Sequence, residues 1–183
     1  MYKRKDMNVY VKQNDLLLHN LTQYYSDNDF QQLDKILPIL NGTSPISLRI
    51  IDWFVTNYSK QHYVVYPLEN TRFKVYNDYK LKLKAYSKKR FDPFCRWEKT
   101  IIPYKSGQFI QTTIGQLNFF KWIVDHNILH YIQDNYESIE HDMSLRNTSK
   151  PKTEKNRKKR EELSIFASKS IKKESIEISL HFE

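Results

Sequence analysis

The sequence predicts an α+β fold: N-terminal helices, a small, mostly antiparallel central sheet, a long helix after it, and a basic C-terminal extension with a helix and a terminal strand. Three changes of period carry this. Apolar residues recur at helical spacing up to about residue 60, at alternate positions through the middle of the chain, and at helical spacing again from Thr113.

After a short arm, "NDLLLHNLTQYYSDN" places Leu17, Leu18, Leu21, Tyr24 and Tyr25 on one helical face, with Asn14 as N-cap. In "DNDFQQLDKIL" a second stripe runs through Phe30, Leu33, Ile36 and Leu37, and Pro38 and Gly42 punctuate its end. "SPISLRIIDWFVTNYSK" opens with Ser44 as N-cap and Pro45 at the first helical position, and Leu48, Ile51, Phe54, Val55 and Tyr58 follow as a core stripe widened by Ile50 and Trp53.

The period then shortens. "HYVVYPL" reads as a strand ending at Pro67, and "RFKVYNDYKLKLKAYSK" alternates from Tyr79 to Ala85. As a half-buried strand it would set Tyr79, Leu81, Leu83 and Ala85 inward and Lys80, Lys82 and Lys84 outward as a ridge. "WEKTIIPYK" reads as a further strand and "SGQFIQTT" as a turn plus strand.

From "TTIGQLNFFKW" helical period returns. Thr113 is its N-cap, Leu117, Phe120 and Val124 line one face with Phe119 and Ile123 beside them, and Ile128, Leu129 and Ile132 continue past a break near Asn127. The polar run from Ser144 to Asn156 reads as a linker. The expected layout is therefore an α+β domain over 1–143, a linker over 144–156, and a basic helix and strand over 157–183. In the last segment Leu163 and Phe166 mark a thin helical stripe, and Ile176, Ile178, Leu180 and Phe182 alternate as a strand that needs an edge to pair with.

Composition bounds the function. At 183 residues the chain is one ordinary domain with a tail, and its 39% apolar and 14% aromatic residues suffice for a core. The single cysteine excludes an internal disulfide and any cysteine-rich zinc module, which points to a reducing, intracellular setting. No apolar run is long enough to span a membrane, and the N-terminus lacks a signal-peptide core. Three scattered glycines leave no room for a phosphate-binding loop.

The net charge of +9 is unevenly placed. Residues 1–71 balance at seven cations and seven acids, whereas residues 72–105 carry eleven Lys/Arg against three Asp/Glu. A second basic block, "KPKTEKNRKKR", sets seven cations against one acid. The 13 Tyr and abundant Lys, Asn and Ile suggest AT-rich coding, which would spread lysine along the chain, so the clustering carries more weight than the total.

Within 72–105 the cations interleave with Tyr76, Tyr79, Tyr86, Phe91, Phe94, Trp97 and Tyr104. Phosphate contacts need Lys or Arg, and single strands also need aromatic faces. The candidate nucleic-acid-binding residues are accordingly Lys80, Lys82, Lys84, Lys88, Lys89, Arg90 and Arg96, joined by Arg157, Lys158, Lys159 and Arg160. The plainer alternative is that the rings are core and the lysines solvate a surface, with Glu161 and Glu162 pairing part of the tail cluster along a helix. "FDPFCRW" reads as a rigid corner, with Asp92-Pro93 forming a turn and Phe91 and Phe94 stapling it to the core, so that Arg96 projects from a fixed point.

Other constellations are thin. His126 and His130 have metal-pair spacing, but Asn127 stands where a zinc-protease helix carries Glu, and two surface histidines explain them better. Asp78-Tyr79-Lys80 resembles one end of a restriction-type nuclease site without its upstream acid. Cys95 beside Arg96 has no histidine tied to it by sequence. No catalytic residue, metal or cofactor is expected.

Four stretches, "RIIDWFVTNYSK", "LKAYSKKRFDPFCR", "TTIGQLNFFKW" and "KKREELSIFASKSIKK", together resemble an uncharacterised protein family of the nucleocytoplasmic large DNA viruses, the mimivirus and algal-virus group. The resemblance covers roughly residues 45–183 and brings no assigned functional residues. It implies a virus-encoded protein of the infected cell, in the cytoplasm or replication compartment, or packaged in the virion. With the charge pattern, the expectation is a non-enzymatic accessory protein that binds DNA or RNA through phosphates during replication, transcription or genome packaging. The alternative is a virion structural or interaction component whose basic tail docks on an acidic partner, such as a viral core or transcription protein.

Overall fold

The computed structural model describes residues 13–148 and 173–175. It is an α+β structure, mostly helical, with two small antiparallel sheets. Helix α1 (Gln13–Ser26) buries Leu21 and Tyr25, and after a 3-10 turn over Asp27–Phe30, α2 (Gln31–Leu40) buries Leu33, Ile36, Leu37, Ile39 and Leu40. Pro38 lies inside α2, and its carbonyl accepts from the amides of Thr43 and Ser44, which closes the helix end.

The next helix starts three residues later than the sequence suggests. The cap of α3 (Leu48–Trp53) is Ser47, whose hydroxyl accepts from the Ile50 amide at 3.2 Å, while Ser44 accepts from the Ile46 amide in the turn before it. Likewise α1 already includes Asn14, whose side chain serves Arg90 instead of a cap. A π-helical turn, Phe54–Tyr58, carries α3 into the short α4 (Ser59–Gln61), and the Thr56 hydroxyl donates to the Asp52 carbonyl at 2.6 Å within it.

Strands β1 (Val65–Leu68) and β2 (Thr71–Lys74) form a hairpin registered Val65 to Lys74. The structure then departs from the expected strand. Val75–Arg90 is an α-helix, α5, so the lysine ridge is not the wet face of a sheet. The reason lies in the residue types. From Tyr76 to Arg90 there is no β-branched residue, and Lys, Leu and Ala are good helix formers. The apolar set that matters has spacing near 3.6: Val75 and Tyr79 are buried, and Leu83 and Tyr86 pack against the core, whereas Leu81 is 65% exposed. Asp78 in the first turn suits the helix dipole, while Lys88, Lys89 and Arg90 follow a break in the helical backbone at Ser87.

Beyond an irregular corner, β3 (Thr100–Pro103) and β4 (Gln108–Thr112) form the second hairpin, as the sequence suggests. Strand β5 (Lys173–Ser175) adds antiparallel to the other edge of β4. Helix α6 (Ile114–Asp125) is buried on nearly every face, from Gly115 to Phe120 and at Trp122 and Ile123. Its cap is Thr113, accepting from the Gln116 amide at 3.1 Å. Asn127, at φ 54°, makes the break before α7 (Ile128–Asp134), and α8 (Tyr136–Thr148) follows. The long helix is thus three, and the helical run passes Ser144, where the linker was expected, and is described as far as Thr148. The tail block 150–160, the following helix and the alternating residues 176–182 lie outside the described residues.

Candidate nucleic-acid interface

Helix α5 and the corner after it position the sequence-expected cations. Lys80 and Lys84, one turn apart, are exposed on the outer face of α5, and Lys82 lies half-buried on the flank of the buried stripe. At Ser87 the backbone leaves helical geometry, with φ 60° and ψ 167°, just before exposed Lys88 and Lys89. Arg90 turns toward α1, donating from Nε to Asn14 Oδ1 and from Nη1 to Gln13 Oε1, both at 2.7 Å. Those partners are neutral amides, so its charge is retained.

Arg96 is fixed at the corner and half-exposed, but its charge is paired. It forks onto its own corner's Asp92, with Nε donating to Oδ2 at 2.9 Å and Nη2 to Oδ1 at 2.8 Å. Asp92 is only 2% exposed. A buried carboxylate needs a matched donor, and the guanidinium four residues on provides two in one plane. Asp92 also accepts from the Phe94 amide at 3.2 Å and the Trp97 indole Nε1 at 3.2 Å. The hydrogen bond to Asp92 raises the Arg96 pKa. The rigid corner read from "FDPFCRW" is present, but its acid holds Arg96 rather than releasing it.

The corner is fastened to the start of α6. The Asp92 amide donates to the Gly115 carbonyl at 3.1 Å, Gln116 Nε2 to the Pro93 carbonyl at 2.9 Å, and Asn118 Nδ2 to the Arg90 carbonyl at 2.8 Å. Gln116 Oε1 accepts from the buried Thr112 hydroxyl at 2.9 Å. Buried polar side chains survive here because each is satisfied.

The acids of residues 72–105 explain the surface charge. Asp92 is buried with Arg96, and Asp78 accepts from Trp122 Nε1 at 2.6 Å against the core, which leaves Glu98 as the exposed one. Lys105 pairs with Asp34 at 2.6 Å, away from α5. Among the described residues, Lys80, Lys82, Lys84, Lys88 and Lys89 form no ion pair. Most of the rings are core: Tyr79 and Phe91 are buried and pack with Trp122, and Tyr86 stacks on Phe91. Trp97 is the exposed one at 39%, and Tyr76 is half-buried outside the core cluster.

Two features escaped the sequence reading. Asp52 on α3 lies near Asp92, Arg96, Lys88 and Tyr79, and burial, then the Asp92 charge, raises its pKa to about 6. Lys60 of α4 reaches over the Tyr76 ring of α5 at 5.7 Å. Neither carries a sequence signal, because both come from segments outside the basic block.

The remaining constellations take structural roles. The His126 ring stacks on Phe73 at 4.4 Å and its Nδ1 lies 2.8 Å from the Trp122 carbonyl, while His130 pairs with Asp134. Among the described residues no group of three or more His, Cys, Asp or Glu is placed to hold a metal. Cys95 is buried, with Lys99 Nζ donating to its Sγ and carbonyl. No helix among the described residues is long and apolar enough to cross a membrane. Arg157, Lys158, Lys159 and Arg160 lie outside the described residues.

No solved structure matches the chain. The uncharacterized protein L507 of Acanthamoeba polyphaga mimivirus is 38% identical over 146 residues, which cover 75% of this chain and 54% of that protein. The chain thus spans about half the length of this curated relative. The giant-virus resemblance is borne out, and it extends through the N-terminal 44 residues, because the matching family model covers residues 1–182. The chain belongs to that family, DUF7197, a family of unknown function.

Proposed function

We propose that this protein is a non-catalytic nucleic-acid-binding accessory factor of a large DNA virus, acting in replication, transcription or genome packaging within the infected cell. Lys80, Lys82, Lys84, Lys88 and Lys89 contact phosphates, Arg90 reinforces them, and Arg96 braces the corner. The supporting observation is the asymmetry of pairing. Two of the three acids in residues 72–105 are consumed internally, while these five lysines make no ion pair among the described residues. Such a surface attracts polyanions without reading sequence. The 157–160 cluster adds affinity in this proposal.

The competing reading is docking on an acidic protein through the basic tail, with a donated terminal strand. Its tail cluster and residues 176–182 lie outside the described residues, and of the adjoining chain Lys173–Ser175 pair with β4.

The test is fluorescence anisotropy of labelled DNA and RNA duplexes across a potassium chloride series. Five phosphate contacts correspond to a log–log slope of roughly −4.5 for B-DNA. Lys88→Glu with Lys89→Glu should weaken binding to every sequence and flatten the slope. Unchanged binding by that double variant removes these lysines from the interface.

A further inference from the structure

Trp97 is a large apolar ring left 39% exposed in a corner whose other aromatics are mostly packed away. Its orientation is fixed. The indole Nε1 donates to Asp92 Oδ2 at 3.2 Å, and Asp92 is itself immobilised by burial, the Arg96 fork and the link from its amide to the Gly115 carbonyl. One cation lies against the ring: Lys89 Nζ is over it, 5.9 Å from its centroid, at the outer limit for a cation–π contact, while the charge of half-exposed Arg96 is taken up by Asp92. A π-face held by a hydrogen bond to a buried carboxylate, with a lysine beside it, matches the two demands of an unpaired nucleotide, one for its base and one for its phosphate.

Other exposed rings meet this less well. Tyr63 is 65% exposed and has Lys74 5.8 Å from its ring, but its hydroxyl is tied to no buried acid among the described residues. Leu81, Ile101, Leu16 and Leu145 are exposed but offer no aromatic face.

We propose that Trp97 is a stacking platform for an unpaired base, with Lys88 and Lys89 holding the adjoining phosphates, so that the corner selects single-stranded over double-stranded nucleic acid. This rests on the nucleic-acid reading above. In a duplex the base faces are already stacked on one another, so the ring gains nothing from them and only the lysine contacts remain.

The experiment compares a 20-nucleotide oligothymidylate with a duplex of equal length, using the full chain and its Trp97→Ala, Trp97→Phe and Lys88→Glu/Lys89→Glu variants. Trp97→Ala should weaken oligothymidylate binding on the order of tenfold and leave the duplex unchanged, and Trp97→Phe should recover most of the loss. The charge-reversal pair should weaken both ligands. Equal affinity of wild type and Trp97→Ala for oligothymidylate overturns the stacking role while the phosphate reading stands. Failure of wild type to bind either nucleic acid overturns both. Should Trp97→Ala fail to fold, ultraviolet crosslinking of the wild type to an iodouracil-substituted strand decides the matter. An adduct mapped to Trp97 supports the platform, and adducts only at other residues overturn it.

Discussion

The carbonyl oxygen of Lys89 occupies the space a side chain at Gly115 would need: a β-carbon there would stand 2.9 Å from it and 3.4 Å from the Phe91 amide nitrogen. Both obstacles are backbone, so neither can swing away. This approach sets the last turn of α5 directly on the start of α6, and with it the height at which Lys88, Lys89 and the Asp92 corner leave the core. Gly115→Ala is therefore expected to destabilise the protein by about 2 kcal/mol, the overpacking cost outweighing the ~1 kcal/mol that alanine gains in a helix. Urea unfolding measures it, and a variant as stable as wild type would show that the two segments do not meet so closely.

Ser87 holds φ 60° with ψ 167°, a region open to glycine and strained for serine. Ser87→Gly should relieve about 1 kcal/mol and raise the unfolding midpoint by roughly 3 °C in calorimetry. A lowered midpoint would mean that the α5 terminus does not turn at this residue.

The Asp92–Arg96 pair should behave as one unit. Asp92→Asn and Arg96→Met each remove one partner from a pair whose acid is buried, and each should cost about 2 kcal/mol. Together they should cost less than the sum, since the second change removes a group already without its partner. Additive losses in a double-mutant cycle would argue that the fork contributes no coupling.

Asp52 gives the stability a pH dependence of defined sign. Its folded pKa, raised to about 6 by burial and then by Asp92, lies above the unfolded value near 3.8. The folded state thus binds the proton more tightly, and this contribution to stability is present below pH 4 and lost as pH rises through 6. Asp52→Asn should flatten the profile between pH 4 and 6 and stabilise the protein at pH 7.5 by about 2 kcal/mol. Chemical denaturation at several pH values reads both effects, and an unchanged slope would place Asp52 in contact with water.

Much of the scaffold was legible because it follows from local rules. The stripes of α1 and α2, the cap at Thr113, the break at Asn127 and the β3–β4 hairpin each depend on residues within a turn or two of each other. Residues 79–85 misled because alternation of Lys with Leu satisfies a period of two while Val75, Tyr79, Leu83 and Tyr86 satisfy a period near 3.6. A window that begins at Tyr79 omits Val75, the residue that resolves the ambiguity. Ser44 misled for a similar reason. It precedes a proline, as a cap should, yet Ser47 has the better-placed hydroxyl.

Composition and order along the chain determined by themselves that the protein carries a clustered excess of positive charge, a helical and β-hairpin scaffold, and a corner at Asp92-Pro93. Only the tertiary structure decided which cations keep their charge available. Pairing depends on which carboxylates come within reach, and burial decides which of them demand a partner. Asp92 is forced inward and takes Arg96, Asp78 is taken by Trp122, and Lys88 and Lys89 are left at the surface, Lys89 over the Trp97 ring. Apart from Asp92 and Arg96, four residues apart in one corner, those choices join residues of α5, the corner and α6, and no spacing along the chain encodes them.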